Sequence, residues 1–406
     1  MTETSRDARE APVGFPIVRE DRFLPPPLLR EVGASGQPRP LRFPDGHVGW
    51  MVSDYANARA VLADRRFIVG VTRQASGQPG KYEAYDDALG SLRSGAITQA
   101  DPPAHTRLRR AVGERFTPAG VEERRARIER IVSEQLDALE RVGGPTDLFA
   151  EYALPIPSRV ICDLLGVPES DEHWFVKPTE LLLSPQATPE QVKEAFAAFS
   201  EYVREVVERK RAEPEDDLLC DLLRAEVLDD EEIAGVALEL FVTGHETSAG
   251  LIAMSTFALL EERARWERLC SEPELLETGA EELLRYLSVV DIGFTRTATE
   301  DVEIAGVAIA AGQSVAISLL GANHDEDQFE GADEVAIERS ENRHLAFGHG
   351  IHKCLGQHLA RLELGVALAG LTQRLPDLRL AVPASEVLLE STDAGVYRVS
   401  SLPVTW

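Results

Sequence analysis

Phe347-Gly348-His349-Gly350-Ile351-His352-Lys353-Cys354-Leu355-Gly356 decides how the rest of the chain is read. It is a glycine-rich loop running into a helix, and the recurrence of Leu355, Leu359, Leu362, Val366 and Ala369 predicts a helix that begins near Cys354. A cysteine at a helix start meets backbone N–H groups and the positive end of the helix dipole, which favour its thiolate. Gly348, Gly350 and Gly356 let the backbone approach something flat and large that Cβ atoms would hold away. Phe347 can cover the sulfur with an apolar ring, while His352 and Lys353 bring positive charge beside it. These parts suit a thiolate axial ligand under a haem.

A lone cysteine is more often a small apolar core residue, and that is the reading for Cys162, Cys220 and Cys270. For Cys354 the pattern Phe-x-x-Gly-x-His-x-Cys-x-Gly reverses the odds. It resembles the haem-binding signature of the cytochrome P450 family. The resemblance implies haem b (iron protoporphyrin IX) with Cys354 on the iron and Phe347, His352 and Gly356 around it. It also implies a mainly α fold with small β-sheets, the cytochrome P450 fold, with the haem between a long central helix and the cysteine loop.

Composition fits an ordinary soluble globular protein with ample core. The 406 residues are 44% hydrophobic, enough for one large domain or two average ones. Met1 to Glu10 is polar and charged, unlike a signal peptide, and no apolar run reaches membrane-spanning length. Four scattered cysteines without a CxxC pair point to a reducing cytoplasm rather than a disulfide framework. A net charge of −27 argues against nucleic acid as a partner. Residues 1–15 read as disordered, and no repeat or linker divides 16–406, so a single domain and a monomer are expected.

Taken in order, residues 38–54 alternate apolar and polar about Asp45-Gly46, a hairpin signal, with Asp54 placed to cap a helix. Residues 69–97 read as a long loop, which in relatives of this type would be a substrate lid. Asp101-Pro102-Pro103-Ala104-His105 leads into a helix on which His105 and Arg109 share a face. By resemblance these two, with Arg296, would hold the haem propionates, leaving Arg107 and Arg110 to point to solvent. Helical periodicity continues through 118–141, 147–166 and 189–212, while 170–190 resembles the family's mobile access region. Asp229 opens a helix running to about Arg263, apolar in its middle except for Thr243-Gly244-His245-Glu246-Thr247-Ser248. Such hydroxyls can bond back to a carbonyl one turn earlier. The grouping instead resembles the family's oxygen-activation segment, with Gly244 making room for dioxygen and Glu246 and Thr247 handling protons. Thr243 stands where relatives carry a smaller residue, and shares the face of Thr247.

Glu282 and Arg285 resemble the family's buried structural pair, joined by Arg339. Val289-Val290, Val302–Ile304 and Val307–Ile309 read as short strands, and 378–406 as a closing antiparallel segment. Val290, Asp291, Ile292 and Gly293 fall where the family lines its substrate cavity, and an acid there would seek a basic substrate group. The implied activity is monooxygenation of a small organic substrate, by hydroxylation or epoxidation, in secondary metabolism. Electrons would come from a ferredoxin or flavodoxin with its reductase, met by Lys353 with Arg107, Arg110 or Arg115. A haem sensor without turnover, a peroxygenase and an oxidative coupling enzyme are the alternatives.

Overall fold

The computed structural model describes residues 12–14, 17, 19–69, 90–171, 173, 174, 176, 181, 187–292, 294–391 and 395–406. The chain forms two compact units, residues 1–77 with 282–354, and 78–281 with 355–406. Each unit is assembled from two distant stretches, so no linker signal in the sequence could separate them.

The first unit is built on a six-stranded sheet: β1 (Val13–Gly14), β2 (Arg39–Arg42), β3 (Val48–Val52), β4 (Phe67–Ile68), β5 (Phe294–Ala298) and β6 (Ser314–Ile317), in the order β1-β2-β3-β6-β5-β4. The anticipated hairpin is β2–β3, with Arg42 opposite Val48 and the turn at Asp45-Gly46. β6 runs parallel to β3, Val315 beside Trp50, and antiparallel to β5. Alternation sends Leu41, Met51 and Ala316 to one face with Leu29, Val32 and Phe43. Val52, Val315 and Ile317 face the other way, onto Ile309, Leu319 and Leu345. Asp54 caps Tyr55–Ala63, accepting the Asn57 N–H at 2.8 Å. Val302–Ile304 and Val307–Ile309 form a small hairpin. Val289-Val290 is not a strand, since Val290 makes only an isolated bridge at the end of the preceding helix. Within the stretch expected to be disordered, Val13 and Gly14 pair with Leu41 and Arg42; residues 1–11 and 15 lie outside the described residues.

The second unit is helical. Its main elements here are α1 (Ala104–Val112), α2 (Asp230–Glu261) and α4 (Gln357–Arg374), while α3 (Leu276–Leu287) carries the chain from this unit into the other. α2 spans 32 residues, about 48 Å. It opens with a capping box in which Asp229 accepts from the Glu232 N–H and Glu232 from the Asp229 N–H. Pro155–Leu165, Pro189–Ala212, α4 and residues 90–95 pack around it, which is why nearly every position from 232 to 260 is buried. The 118–141 periodicity resolves into Pro118–Glu122 and Arg125–Val142. The 147–166 periodicity resolves into a wide turn at Phe149–Ala153 and Pro155–Leu165, with Pro155 in the first helical turn. β7 (Leu389–Ser391) and β8 (Tyr397–Val399) pair beside α2, and Arg379–Leu380, Pro403–Thr405 and Thr146–Asp147 make a three-stranded sheet. Of the long loop, residues 90–95 and 97–99 are short 3₁₀ turns; 70–89, like most of 172–186, lie outside the described residues.

Candidate functional site

The cysteine loop is closed on itself. The Cys354 N–H donates to the Phe347 carbonyl at 2.8 Å, the Gly348 N–H to Leu345 at 2.7 Å and the Lys353 N–H to Gly350 at 3.1 Å. Gly348 and Gly350 take φ values of +67° and +74°, which side-chain-bearing residues rarely adopt. A Cβ on Gly350 would also lie 2.2 Å from the Leu62 carbonyl oxygen. The loop therefore holds the sulfur outward, and Cys354 is exposed while Phe347 and His352 are half-buried. The helix begins later than expected. Gly356 is the N-cap and α4 starts at Gln357, because a Leu355-Gly356 turn intervenes and the Cys354 N–H is already committed to Phe347. Cys354 thus precedes the helix rather than opening it.

In α2, a helix buried on almost all sides, one face stays accessible midway: Thr243 is exposed, and Gly244 and Thr247 are half-buried. The Thr243 hydroxyl donates to the Glu239 carbonyl at 2.7 Å and the Thr247 hydroxyl to the Thr243 carbonyl at 2.8 Å. Both hydroxyl protons are turned into the helix, and only lone pairs face out. The space beside Gly244 has an owner: a Cβ there would lie 3.2 Å from Ile161 Cδ1, so this glycine also serves the packing of Pro155–Leu165.

Glu246 is 4% exposed. Arg398 on β8 places its Nε 3.5 Å from Glu246 Oε2, while its Nη2 lies 2.9 Å from Glu390 and its guanidinium stacks over Phe149. His245 Nε2 is 3.8 Å from Glu246 Oε1, but burial pushes the imidazole down to about 4, so it is neutral at neutral pH. Arg398 is therefore the cation that faces Glu246. Two further acids, not singled out from the sequence, are buried on these helices. Glu239 in α2 is pushed up to about 7 by burial, against the pull of hydrogen bonds from Thr98 and Ile97. Glu363 in α4, beside the Ser248 hydroxyl, is pushed up to about 8 by burial. The signal that could have found Glu239 is a single acid inside the apolar run Val236-Ala237-Leu238-Glu239-Leu240-Phe241.

On α1, His105 is buried and Arg109 half-buried, four residues apart, and Arg296 on β5 is buried. By their chemistry, His105, Arg109, Arg296 and the exposed Cys354 are donors of the kinds that a haem with two carboxylates would take. Arg107 is exposed, as expected, and also pairs with Glu232 and bonds the Val227 carbonyl. Arg115 is held between Asp216 and Asp221, so neither arginine is a loose charge for an electron donor. Val290, Asp291 and Ile292 are half-buried, and Gly293 lies outside the described residues. Ile292 packs on the Leu41–Met51 cluster. The basic partner sought for Asp291 in a substrate is supplied by the chain: Arg19 Nε lies 3.4 Å from it, and the Ser318 hydroxyl donates at 3.0 Å.

Glu282 and Arg285 are both fully buried and bonded in a two-point fork at 2.8 and 2.9 Å. Arg339, Asn342 and the Ala336 N–H complete the carboxylate, each at 3.0 Å. Arg285 spends its other donors on the Asn323, Ala332 and Glu334 carbonyls. The cluster braces the return of the chain toward the cysteine loop, and no reacting group approaches it.

Comparison with known proteins gives the family. The family model described as Cytochrome P450 matches residues 164–376. Cytochrome P450 105C1 of a Streptomyces species is 42% identical over 98% of this chain and 99% of its own length. Mycinamicin IV hydroxylase/epoxidase of Micromonospora griseorubida is 38% identical over 90% of this chain and 91% of its own. Among solved structures, the mycinamicin VIII C21 methyl hydroxylase MycCI of the same organism superposes with a TM-score of 0.89, at 34% identity, covering 97% of this chain and all of that one. The match to the family's model takes in more than half of the chain, and its relatives align almost end to end: this chain belongs to the cytochrome P450 family and is one of its monooxygenases.

Proposed function

We propose that the chain binds haem b through Cys354 and inserts one oxygen atom of dioxygen into a small organic substrate, by hydroxylation or epoxidation, in the tailoring of a natural product. The observation that carries this is the closed loop presenting Cys354 outward on two left-handed glycines. Relatives named for mycinamicin hydroxylation and epoxidation support the substrate class. When bound, the haem supplies dioxygen activation, assisted by electron donation from the thiolate.

The remaining tasks fall to side chains. His105, Arg109 and Arg296 would clamp the propionates, with Phe347, His352 and Gly356 shaping the thiolate side and Gly244 the other. Glu246, faced by Arg398, would hold and release protons, and Thr247 would accept a hydrogen bond from water rather than give one. Thr243 on the same face would narrow the approach of substrate. Electrons would come from a ferredoxin or flavodoxin with its reductase. With Arg107 and Arg115 spent in ion pairs, exposed Arg110 is the better candidate contact on that basic stretch. Cytoplasmic location, a monomer and a single functional domain over 16–406 belong to the same reading. Among the described residues no helix is long and apolar enough to cross a membrane.

Cys354→His tests it. The reduced, carbon monoxide-bound absorption spectrum of the purified protein should lose its thiolate character while haem is retained. Persistence of that character in the variant would place the ligand elsewhere and remove the reading.

A further inference from the structure

We propose that the cavity between residues 92–99 and α2 receives the ammonium group of a substrate, with Glu239 as its anionic anchor. The inference rests on the monooxygenase reading and narrows its substrate to a class, organic molecules that carry a protonated amine.

Glu239 is 9% exposed, in the apolar run of α2, four residues before Thr243. Its Oε1 accepts the Thr98 N–H at 2.7 Å. The Thr98 hydroxyl and the Ile97 N–H add to that hold, while Oε2 is buried and takes no hydrogen bond. The segment that brings Thr98 there is keyed to α2 backbone against backbone. A Cβ on Gly95 would lie 2.3 Å from the Glu232 carbonyl oxygen, and one on Gly235 would lie 2.0 Å from that of Leu92. Two glycines make this approach possible, and it keeps the acid from turning out to water.

Beside Glu239 is a cavity of about 40 Å³, lined by Leu238, Val242 and Thr243 of α2 and by Leu92, Thr98 and Gln99 opposite. That is room for a small headgroup, since one water needs only about 10–15 Å³ by the same measure. Its polar lining is rich in acceptors. Gln99 Oε1 is buried without a partner, like Glu239 Oε2. Thr243 has given its hydroxyl proton to the Glu239 carbonyl, leaving lone pairs. No charged side chain of the described residues acts on Glu239; Thr98, Ile97 and burial alone set its ionisation. The carboxylate and the unpartnered Gln99 oxygen beside it call for a cation that carries an N–H donor. Thr243, which lines the cavity, is exposed on the accessible face of α2, so a substrate lying along that face reaches Glu239 past it. Burial leaves Glu239 near half-ionised at neutral pH, so an arriving ammonium would complete the ionisation.

The test uses the holoenzyme and two probes of one shape: N,N-dimethyl-4-phenylbutylamine, whose methyl groups hinder ligation of iron, and its neutral carbon isostere (5-methylhexyl)benzene. Dissociation constants are read from the haem spin-state shift and, independently, by calorimetry. At about pH 8 the amine should bind at least about tenfold more tightly than the isostere, the worth of one charge-assisted hydrogen bond. The preference should shrink toward about pH 6 as Glu239 takes up its proton. Glu239→Gln should abolish the preference and its pH dependence while isostere binding is kept. Equal binding of the two probes to the wild type, binding of neither, or a preference that survives Glu239→Gln overturns the inference. Failure of the underlying reading would show separately, as a reduced carbon monoxide spectrum without thiolate character.

Discussion

Glu282 and Glu239 are both carboxylates sealed inside the protein, and the chain treats them in opposite ways. Burial opposes the charge of Glu282, but Arg285, the Ala336 N–H and Arg339 overcome it and hold its pKa below the ordinary range. Glu239 and Glu363 get a few hydrogen bonds and no cation, and burial lifts them to about 7 and about 8. A buried charge with every lone pair met is a brace, locked in one geometry. A buried acid left short of partners keeps a proton it can exchange near neutral pH, at a standing cost to stability. The under-partnered acids lie on or against the helix that carries Thr243, Thr247 and Ser248: Glu239 within α2, and Glu363 on α4 beside the Ser248 hydroxyl.

The largest effect should come from breaking the brace. Arg285→Ala strands Glu282 without its fork and should cost about 3–5 kcal/mol in urea unfolding, enough to lower the yield of folded protein. A loss below about 1 kcal/mol would mean that Arg339 and Asn342 suffice, and the contrast would weaken.

Glu363 should give a smaller effect with a pH signature. Its folded pKa of about 8 lies above the ordinary 4.5. The folded form therefore holds its proton more tightly than the unfolded chain does. Stability from this group is complete below about pH 4.5 and is lost progressively as pH rises to about 8. Relative to wild type, Glu363→Gln should gain roughly 3–4 kcal/mol between about pH 5 and about pH 8, read from urea midpoints at the two values. A difference that stays flat with pH would show that Glu363 is ionised throughout.

Thr247→Ala sharpens the contrast from the other side. Among the described residues its hydroxyl bonds only its own helix, so folding stability should move by less than about 0.5 kcal/mol. Product formed per electron pair should nevertheless fall several-fold, with the missing electrons recovered as peroxide or water. Unchanged product yield would take Thr247 out of proton handling.

Much of this was legible beforehand because it is local. The β2–β3 hairpin with its Asp54 cap, the capping box of α2, the Pro189–Ala212 helix and the cysteine loop are each written within some ten to thirty consecutive residues. What stayed hidden is partnership across the chain. Arg398 is 152 residues from Glu246 in sequence and sits in a short strand whose pattern says nothing of a carboxylate. Thr98 meets Glu239 at a separation of 141 residues. Arg19 reaches Asp291 from a segment with no helical or strand periodicity. Periodicity tells which residues turn inward, and it cannot tell which of the inward acids will find a base.

The two threonines of α2 give the site a sense of direction. With both hydroxyl protons buried in the helix, this face offers incoming molecules lone pairs only. A water that settles there must arrive hydrogen first and turn its oxygen away, and the next water in line must do the same. A chain of waters started at Thr243 or Thr247 is thus polarised from its first member. The rotamers of two side chains would then set which way a proton can travel along it, before any substrate has bound.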